Sequence, residues 1–187
     1  MDKEISAALE TLQKGGIILY PTDTIWGIGC DATNKDAVSK IYSIKQRKDE
    51  KSMLILLDDA EKLYDYVKEV PDIAWNLIEV ADKPLTLIYP GAQNLAENLI
   101  AEDGSIGIRI VKDEFCRKLI SRFRKPVVST SANISGMPWP PNFQKIDRNL
   151  LKLVDYVVNF RQKEEARGKP SGIIKLGPAG EVLVIRE

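Results

Sequence analysis

The sequence predicts an α/β fold built on a mixed sheet, and three observations carry that expectation. Over the first two thirds of the chain, short apolar runs of strand length alternate with stretches that repeat apolar residues at helical spacing. The last two apolar runs, Ile173–Leu176 and Val182–Ile185, follow one another directly across Gly177-Pro178-Ala179-Gly180, the pattern of an antiparallel hairpin. The 187 residues, 44% apolar and 29% charged, have the make-up of an ordinary globular protein and suffice for one domain, 1–187, with a sizeable core.

Each element has a local reason. Residues 4–14 put Ile5, Ala8, Leu9 and Leu12 on one helical face. Gly15-Gly16 ends that helix, because glycine takes the left-handed conformation past a helix end at little cost. Ile17–Tyr20 and Ile25–Cys30 read as buried strands around the break at Pro21. Asn34 is expected to cap a helix that turns Ala37, Val38, Ile41 and Ile44 inward. Met53–Leu57 is a strand, and Asp58 or Asp59 caps a short helix running through Val67. Pro71 suits the first turn of a helix that buries Ile73, Ala74, Leu77 and Ile78. Leu85–Tyr89 is a strand stopped by Pro90-Gly91, and residues 92–104 form loop with a short helix. Ile106–Val111 is a strand interrupted by Gly107, and Phe115, Cys116, Leu119, Ile120 and Phe123 mark a helix face. Val127-Val128 is a short buried strand, residues 135–142 a proline-rich loop, and residues 143–153 a helix. Tyr156–Val158 is a strand, and Arg161–Lys169 a charged, mobile loop before the terminal hairpin.

Composition excludes several chemistries. There is no histidine, so Ser-His-Asp and Cys-His nucleophiles and His-ligated metals are ruled out. Cys30 and Cys116 are far apart and lack metal-ligand spacing, so reduced structural thiols in a cytoplasmic protein are expected. No apolar run approaches the roughly 18 residues of a membrane span. The stretch Met1-Asp2-Lys3-Glu4 lacks the basic-then-apolar order of a secretory signal. Net charge is zero, which gives no global attraction to nucleic acid. Two stretches are locally basic: Lys40–Lys51 with five cations against two anions, and Arg109–Lys125 with seven against two.

The candidate chemistry lies at strand ends. No G-x-x-x-x-G-K-[ST] loop is present, and the loose dinucleotide match at Gly27, Gly29 and Ala32 falls inside an apolar strand. Glycines there serve close backbone approach better than a cofactor. Lys45, Arg47 and Lys51 suit phosphate oxygens, or equally the solvated end of a helix, where cations complement the dipole. Residues 129–135 carry five hydroxyl or amide side chains in seven positions just past a strand. They can hold a polar ligand at a sheet edge or serve as turn and cap chemistry. Arg109, inside Ile-Gly-Ile-Arg-Ile, is either exposed or aimed at an anion. Ser171 and Arg186 repeat the placement of polar groups at apolar strand ends.

Six pieces in order then resemble one family. They are Pro21-Thr22-Asp23-Thr24-Ile25-Trp26-Gly27-Ile28-Gly29, the set Lys45, Arg47, Lys51 and Met53, and Ile106–Ile110; Ser129–Gly136, Pro170-Ser171-Gly172-Ile173 and Ile185-Arg186 complete the series. From about Gly15 to Arg186 the chain resembles the YrdC/YwlC/YciO family of threonylcarbamoyl-AMP synthases and close relatives, in its minimal single-domain form. The resemblance implies a twisted mixed sheet flanked by helices, with a concave electropositive cleft. It implies a nucleotidyl transfer in which L-threonine, bicarbonate and ATP, with Mg2+ on the phosphates, give threonylcarbamoyl-adenylate and pyrophosphate. Partner proteins then use the product to modify tRNA. By motif position, Thr24, Arg109, Ser129 and Ser171 would hold threonine. Lys45, Arg47, Lys51, Ser105, Ser131, Asn133 and Arg186 would serve ATP, with Lys45 and Arg47 at the reacting phosphate. There are four departures from the family pattern: Lys48 and Val111 stand where prolines are usual, Trp139-Pro140-Pro141 replaces Ser-Pro-Thr, and Gly172 replaces threonine. Two rival expectations remain: a protein that binds tRNA or double-stranded RNA through its basic stretches, and a carbamoyl-adenylate enzyme with another substrate.

Overall fold

Nine strands form one twisted mixed sheet, flanked on both faces by helices, in a computed structural model that describes residues 1–46, 53–165 and 168–187. In chain order the elements are α1 (Asp2–Gln13), β1 (Ile18–Tyr20), β2 (Gly27–Gly29), α2 (Lys35–Ile44), β3 (Leu54–Leu57), α3 (Leu63–Tyr66), α4 (Asp72–Val80), β4 (Leu85–Tyr89), β5 (Ile106–Ile110), α5 (Glu114–Phe123), β6 (Val127–Ser131), α6 (Arg148–Leu151), β7 (Tyr156–Val157), β8 (Gly172–Leu176) and β9 (Val182–Arg186). The strand order is β7-β1-β2-β6-β3-β5-β4-β8-β9. β3 and β5 run parallel in the middle, β6 and β4 flank them antiparallel, and β8–β9 is the expected hairpin.

Side chains alternate across the sheet, so each strand feeds two cores. On one face α1 and α5 bury Ile5, Leu12, Phe115, Leu119 and Phe123 against Ile18, Tyr20, Leu56 and Val127. On the other, Ala37, Val38 and Ile41 of α2 and Ala74 of α4 cover Leu19, Ile28, Ile55, Leu87 and Ile108. Cys30 and Cys116 are free and buried. The helix ends follow local chemistry: Asn34 accepts from the Ala37 amide, Asp113 from that of Cys116, and Gly15 takes φ +71 after α1.

The structure corrects four expectations. The strand after Pro126 runs on through Ser129, Thr130 and Ser131, because Gly27 and Ile28 offer a partner edge and hydroxyl residues tolerate a pleat. The expected helix over 143–153 breaks into a 3-10 turn, Phe143–Lys145, and α6, because Asp147 caps a new start. In α4 only Ala74 is fully buried; Ile73, Leu77 and Ile78 are half-covered. Arg161 is held rather than loose, paired with Asp113 and 3.7 Å from Glu164.

Candidate functional site

The register places the polar residues on one face. Direct partners share a face, and the chain of partners runs Gly27–Ser131 between β2 and β6, then Ser129–Leu54–Gly107 across β6, β3 and β5. It continues through Gly107–Ile88 into β4, and Thr86–Ile173–Arg186 carries it to β9. Arg109, two residues along from Gly107, points the same way. Gly27, Gly107 and Ser129 are small, so this face lies low, and a cleft of about 220 Å3 opens there. Thr24, Arg109, Ser129, Ser131, Ser171 and Arg186 all line it. These six were given site roles from the sequence; Thr130 was named there within the polar run, Trp139 as a departure, and Ile25, Met53 and Ile173 within motifs, and neither they nor Leu54 had been assigned to a ligand.

Arg109 is the dominant group. Its side chain is 3% exposed, and its Nη2 lies 3.0 Å from Asp23 Oδ1. That approach is an ion pair without hydrogen-bond alignment: among the described residues, Arg109 Nε and Nη2 and Asp23 Oδ1 make no hydrogen bond. Burial raises the Asp23 carboxyl pKa, and the Arg109 charge offsets that only in part. A buried guanidinium with two nitrogens lacking acceptors is costly at rest and suited to receiving an anion. Arg186 completes the cationic wall. Its Nε donates to Ser171 O at 2.9 Å, and burial, followed by the Arg109 charge, lowers its pKa.

Beside Arg109 the hydroxyls are oriented. Thr22 Oγ1 donates to Ile25 O at 2.7 Å and accepts the Thr24 amide at 3.1 Å. Its single proton is thereby committed, so in the 3.0 Å contact with Thr24 Oγ1 the Thr24 hydroxyl is the donor. The lone pairs of Thr24 Oγ1 are left as an acceptor on the cleft wall. Ser171 Oγ lies 2.8 Å from Thr86 Oγ1, which fixes the opposite wall. Thr22 and Asp23 lie in the Pro21–Gly29 motif, but only Thr24 of that run was given a site role from the sequence.

Lys45 is buried at the end of α2, with Nζ donating to Ser131 O at 2.6 Å and Asn133 Oδ1 at 3.0 Å. It joins Ser131 and Asn133 into one network at the cleft's edge; the Ser131 hydroxyl also donates to Asn133 Oδ1. Arg47, Lys51 and Lys48 lie outside the described residues. Ser105 does not join the cleft. It donates to Asp103 and lines a separate depression with Lys175 and Ile185. The basic stretch after Arg109 is dispersed: Lys118 pairs with Glu114, Arg122 with Asp2, and Lys125 with Asp31.

Gly29 explains the strand glycines: a Cβ there would sit 2.4 Å from Val128 O and 2.7 Å from Tyr20. Close backbone packing is their role, not a dinucleotide turn. The departures find places too. The Val111 amide, which a proline would lack, donates to Leu57 O at 2.9 Å. Trp139 lines the cleft, and a Cβ on Gly172 would meet Arg186 O at 3.5 Å, an ordinary contact. Among the described residues no three His, Cys, Asp or Glu groups gather as a metal site, and no helix is long and apolar enough to cross a membrane.

A sequence-family model described as Sua5_yciO_yrdC, telomere recombination, matches residues 10–187. The chain belongs to that family. Threonylcarbamoyl-AMP synthase of Vibrio parahaemolyticus is 32% identical, covering 88% of this chain and 90% of its own length. A putative threonylcarbamoyl-AMP synthase of Methanocaldococcus jannaschii is 36% identical, covering 100% and 88%. Among solved structures, E. coli YciO superposes with TM-score 0.86 at 26% identity over 100% of this chain and 90% of its own. P. abyssi Sua5 complexed with L-threonine gives TM-score 0.84 at 27% identity over 92% of this chain. The match spans about half of the P. abyssi protein, 50%.

Proposed function

We propose that this chain is an L-threonylcarbamoyladenylate synthase acting as a single domain, and the buried, incompletely satisfied Arg109 beside an acceptor hydroxyl carries the reading. An amino acid presents a carboxylate and an amine a few ångströms apart. Arg109 matches the carboxylate and Thr24 Oγ1 the amine, with Ser129 and Ser171 closing that end of the cleft. The relatives named as threonylcarbamoyl-AMP synthases and the threonine-bound neighbour support threonine as that amino acid.

In this reading the uncharged amine of threonine attacks CO2, formed by dehydration of bicarbonate, and gives a carbamate anion as the nitrogen releases one proton to water. A carbamate oxygen then attacks the α-phosphorus of ATP, the bond to the β-phosphate oxygen breaks, and pyrophosphate leaves. No strong protein base is needed for the second step, which suits a chain without histidine. The protein's work is positioning and charge neutralisation. Lys45, Ser131, Asn133 and Arg186 are assigned to the nucleotide, together with Arg47 and Lys51. Ser105 lines the separate depression with Asp103 and Lys175 and is left out of this assignment. Mg2+ would come with the triphosphate and neutralise part of its charge, since no cluster of acidic ligands among the described residues would hold it by itself. The product would pass to tRNA-modifying partners in the cytoplasm.

The test is pyrophosphate release from ATP and Mg2+ with threonine and bicarbonate supplied or omitted. Release that requires both supports the assignment; release indifferent to either one removes it.

A further inference from the structure

Among the described residues that line the cleft, Trp139 is the one aromatic, and it is 38% exposed. A tryptophan that serves the core is covered far better: Trp26, 5% exposed, sets its ring 4.9 Å from that of Phe143. Trp139 has no ring partner among the described residues. Its loop is nevertheless fixed on both sides. Upstream, Asn133 Nδ2 donates to Met137 O, and the Met137 amide donates to Ile134 O at 3.1 Å. Downstream, Pro140 is buried and Phe143 packs on Trp26. Pro138 and Pro140 flank the tryptophan, and proline both fixes its own φ and keeps the residue before it out of the helical region. A bare indole thus stands on a stiff mount. The mount also has a place: Asn133 Oδ1 accepts from Lys45 Nζ, and the Ser135 amide donates to Lys45 O at 3.0 Å. The loop therefore springs from the corner of the cleft assigned above to the nucleotide.

We propose that Trp139 is the platform on which the base of the nucleotide stacks, and that it sets a preference for purine over pyrimidine triphosphates. The inference rests on the nucleotide assignment made under the proposed function and adds a specificity residue to it. Every base has a π-face, and an indole already held in place stacks on it at little ordering cost. The fused rings of a purine cover more of the indole than the single ring of a pyrimidine, so the same platform favours the purine. Its contribution belongs to the base alone; the phosphates are left to Lys45 and Arg186. Trp139 is one of the departures from the family pattern, so the platform is a property of this chain.

The probes are ATP, CTP and inorganic tripolyphosphate, titrated with Mg2+ into the intact protein without threonine and followed by calorimetry and tryptophan emission. ATP should change the emission saturably, and tripolyphosphate should not. Trp26 is buried and Trp75 lies on α4, across the sheet from the cleft, so Trp139→Phe should lose that signal while keeping most of the ATP affinity. Trp139→Ala should weaken ATP about 5- to 150-fold, narrow the ratio of ATP to CTP affinity, and leave tripolyphosphate unchanged. The wild-type emission decides the matter even where Trp139→Ala fails to fold. ATP bound without an emission change, or bound equally by wild type and Trp139→Ala, would overturn the platform and leave the nucleotide assignment standing. Equal losses for ATP and tripolyphosphate in Trp139→Ala would mark a displaced loop instead of a stacked base and overturn it too. Absence of ATP binding to the wild type would remove the nucleotide assignment, and the platform with it.

Discussion

Arg109 and Asp23 form the pair on which the cleft depends. Removing the arginine strands a buried carboxylate, which costs about 3–5 kcal/mol in such pairs. Arg109→Ala is therefore expected to lower the denaturation midpoint as well as threonine-dependent pyrophosphate release. Loss of a charge-assisted contact of about 1.5–3 kcal/mol puts the drop in kcat/KM at roughly 10- to 150-fold. The pH response has a defined sign. Asp23 has a raised carboxyl pKa, so the native state binds its proton more readily than the unfolded chain. The penalty is present above the folded pKa and is relieved as pH falls through it toward the ordinary 3.8. Without Arg109 the penalty grows, so the variant's melting temperature should recover relative to wild type on mild acidification; a parallel pH profile for both proteins would refute this. Lys45→Met should remove one donor from each of Ser131 O and Asn133 Oδ1, which retain the Asn133 amide and the Ser131 hydroxyl, and destabilise the protein even with no ligand present, read as a lower urea midpoint. At this scale Thr24, Ser129 and Arg109 were legible because each is polar beside an apolar run. Asp23 was not, since its role depends on a partner 86 positions away in sequence.

Elements fix how close these groups come. Gly29→Ala would force a Cβ to 2.4 Å from Val128 O, a backbone atom that cannot retreat without parting β2 from β6. A loss of about 1–3 kcal/mol or more is expected from such overpacking. Gly27→Ala meets Ser129 Oγ at 3.3 Å and Thr130 O at 3.4 Å, so it should be tolerated by the fold while it crowds the cleft floor. Urea midpoints for the pair, with threonine KM for Gly27→Ala, separate the two glycines: a large stability loss for Gly27 and none for Gly29 would invert this account. Periodicity located nearly every element. It failed where hydroxyl residues continued a strand in β6, since Ser and Thr signal turns as readily as pleats. It also failed at Asp147, whose capping of α6 cut one expected helix in two.

The whole molecule draws its cleft from stretches spread over residues 24–186 and joined only by the sheet's register. Alternation within single strands could be read from the sequence; the order β2-β6-β3-β5-β4-β8-β9 could not, because non-local pairing leaves no local signal. Threonine and ATP should each raise the melting temperature by mass action. Arg109→Ala should lose the threonine increment and keep that of ATP; loss of both would place the two ligands in one undivided subsite. The register has a kinetic consequence as well. Arg186 sits on β9, at the far edge of the sheet, and β9 is held through β8 alone. Ligand affinity should thus mature last in refolding, after the buried aromatic residues have reported collapse, and a fluorescent nucleotide added during refolding would time the arrival of that final strand.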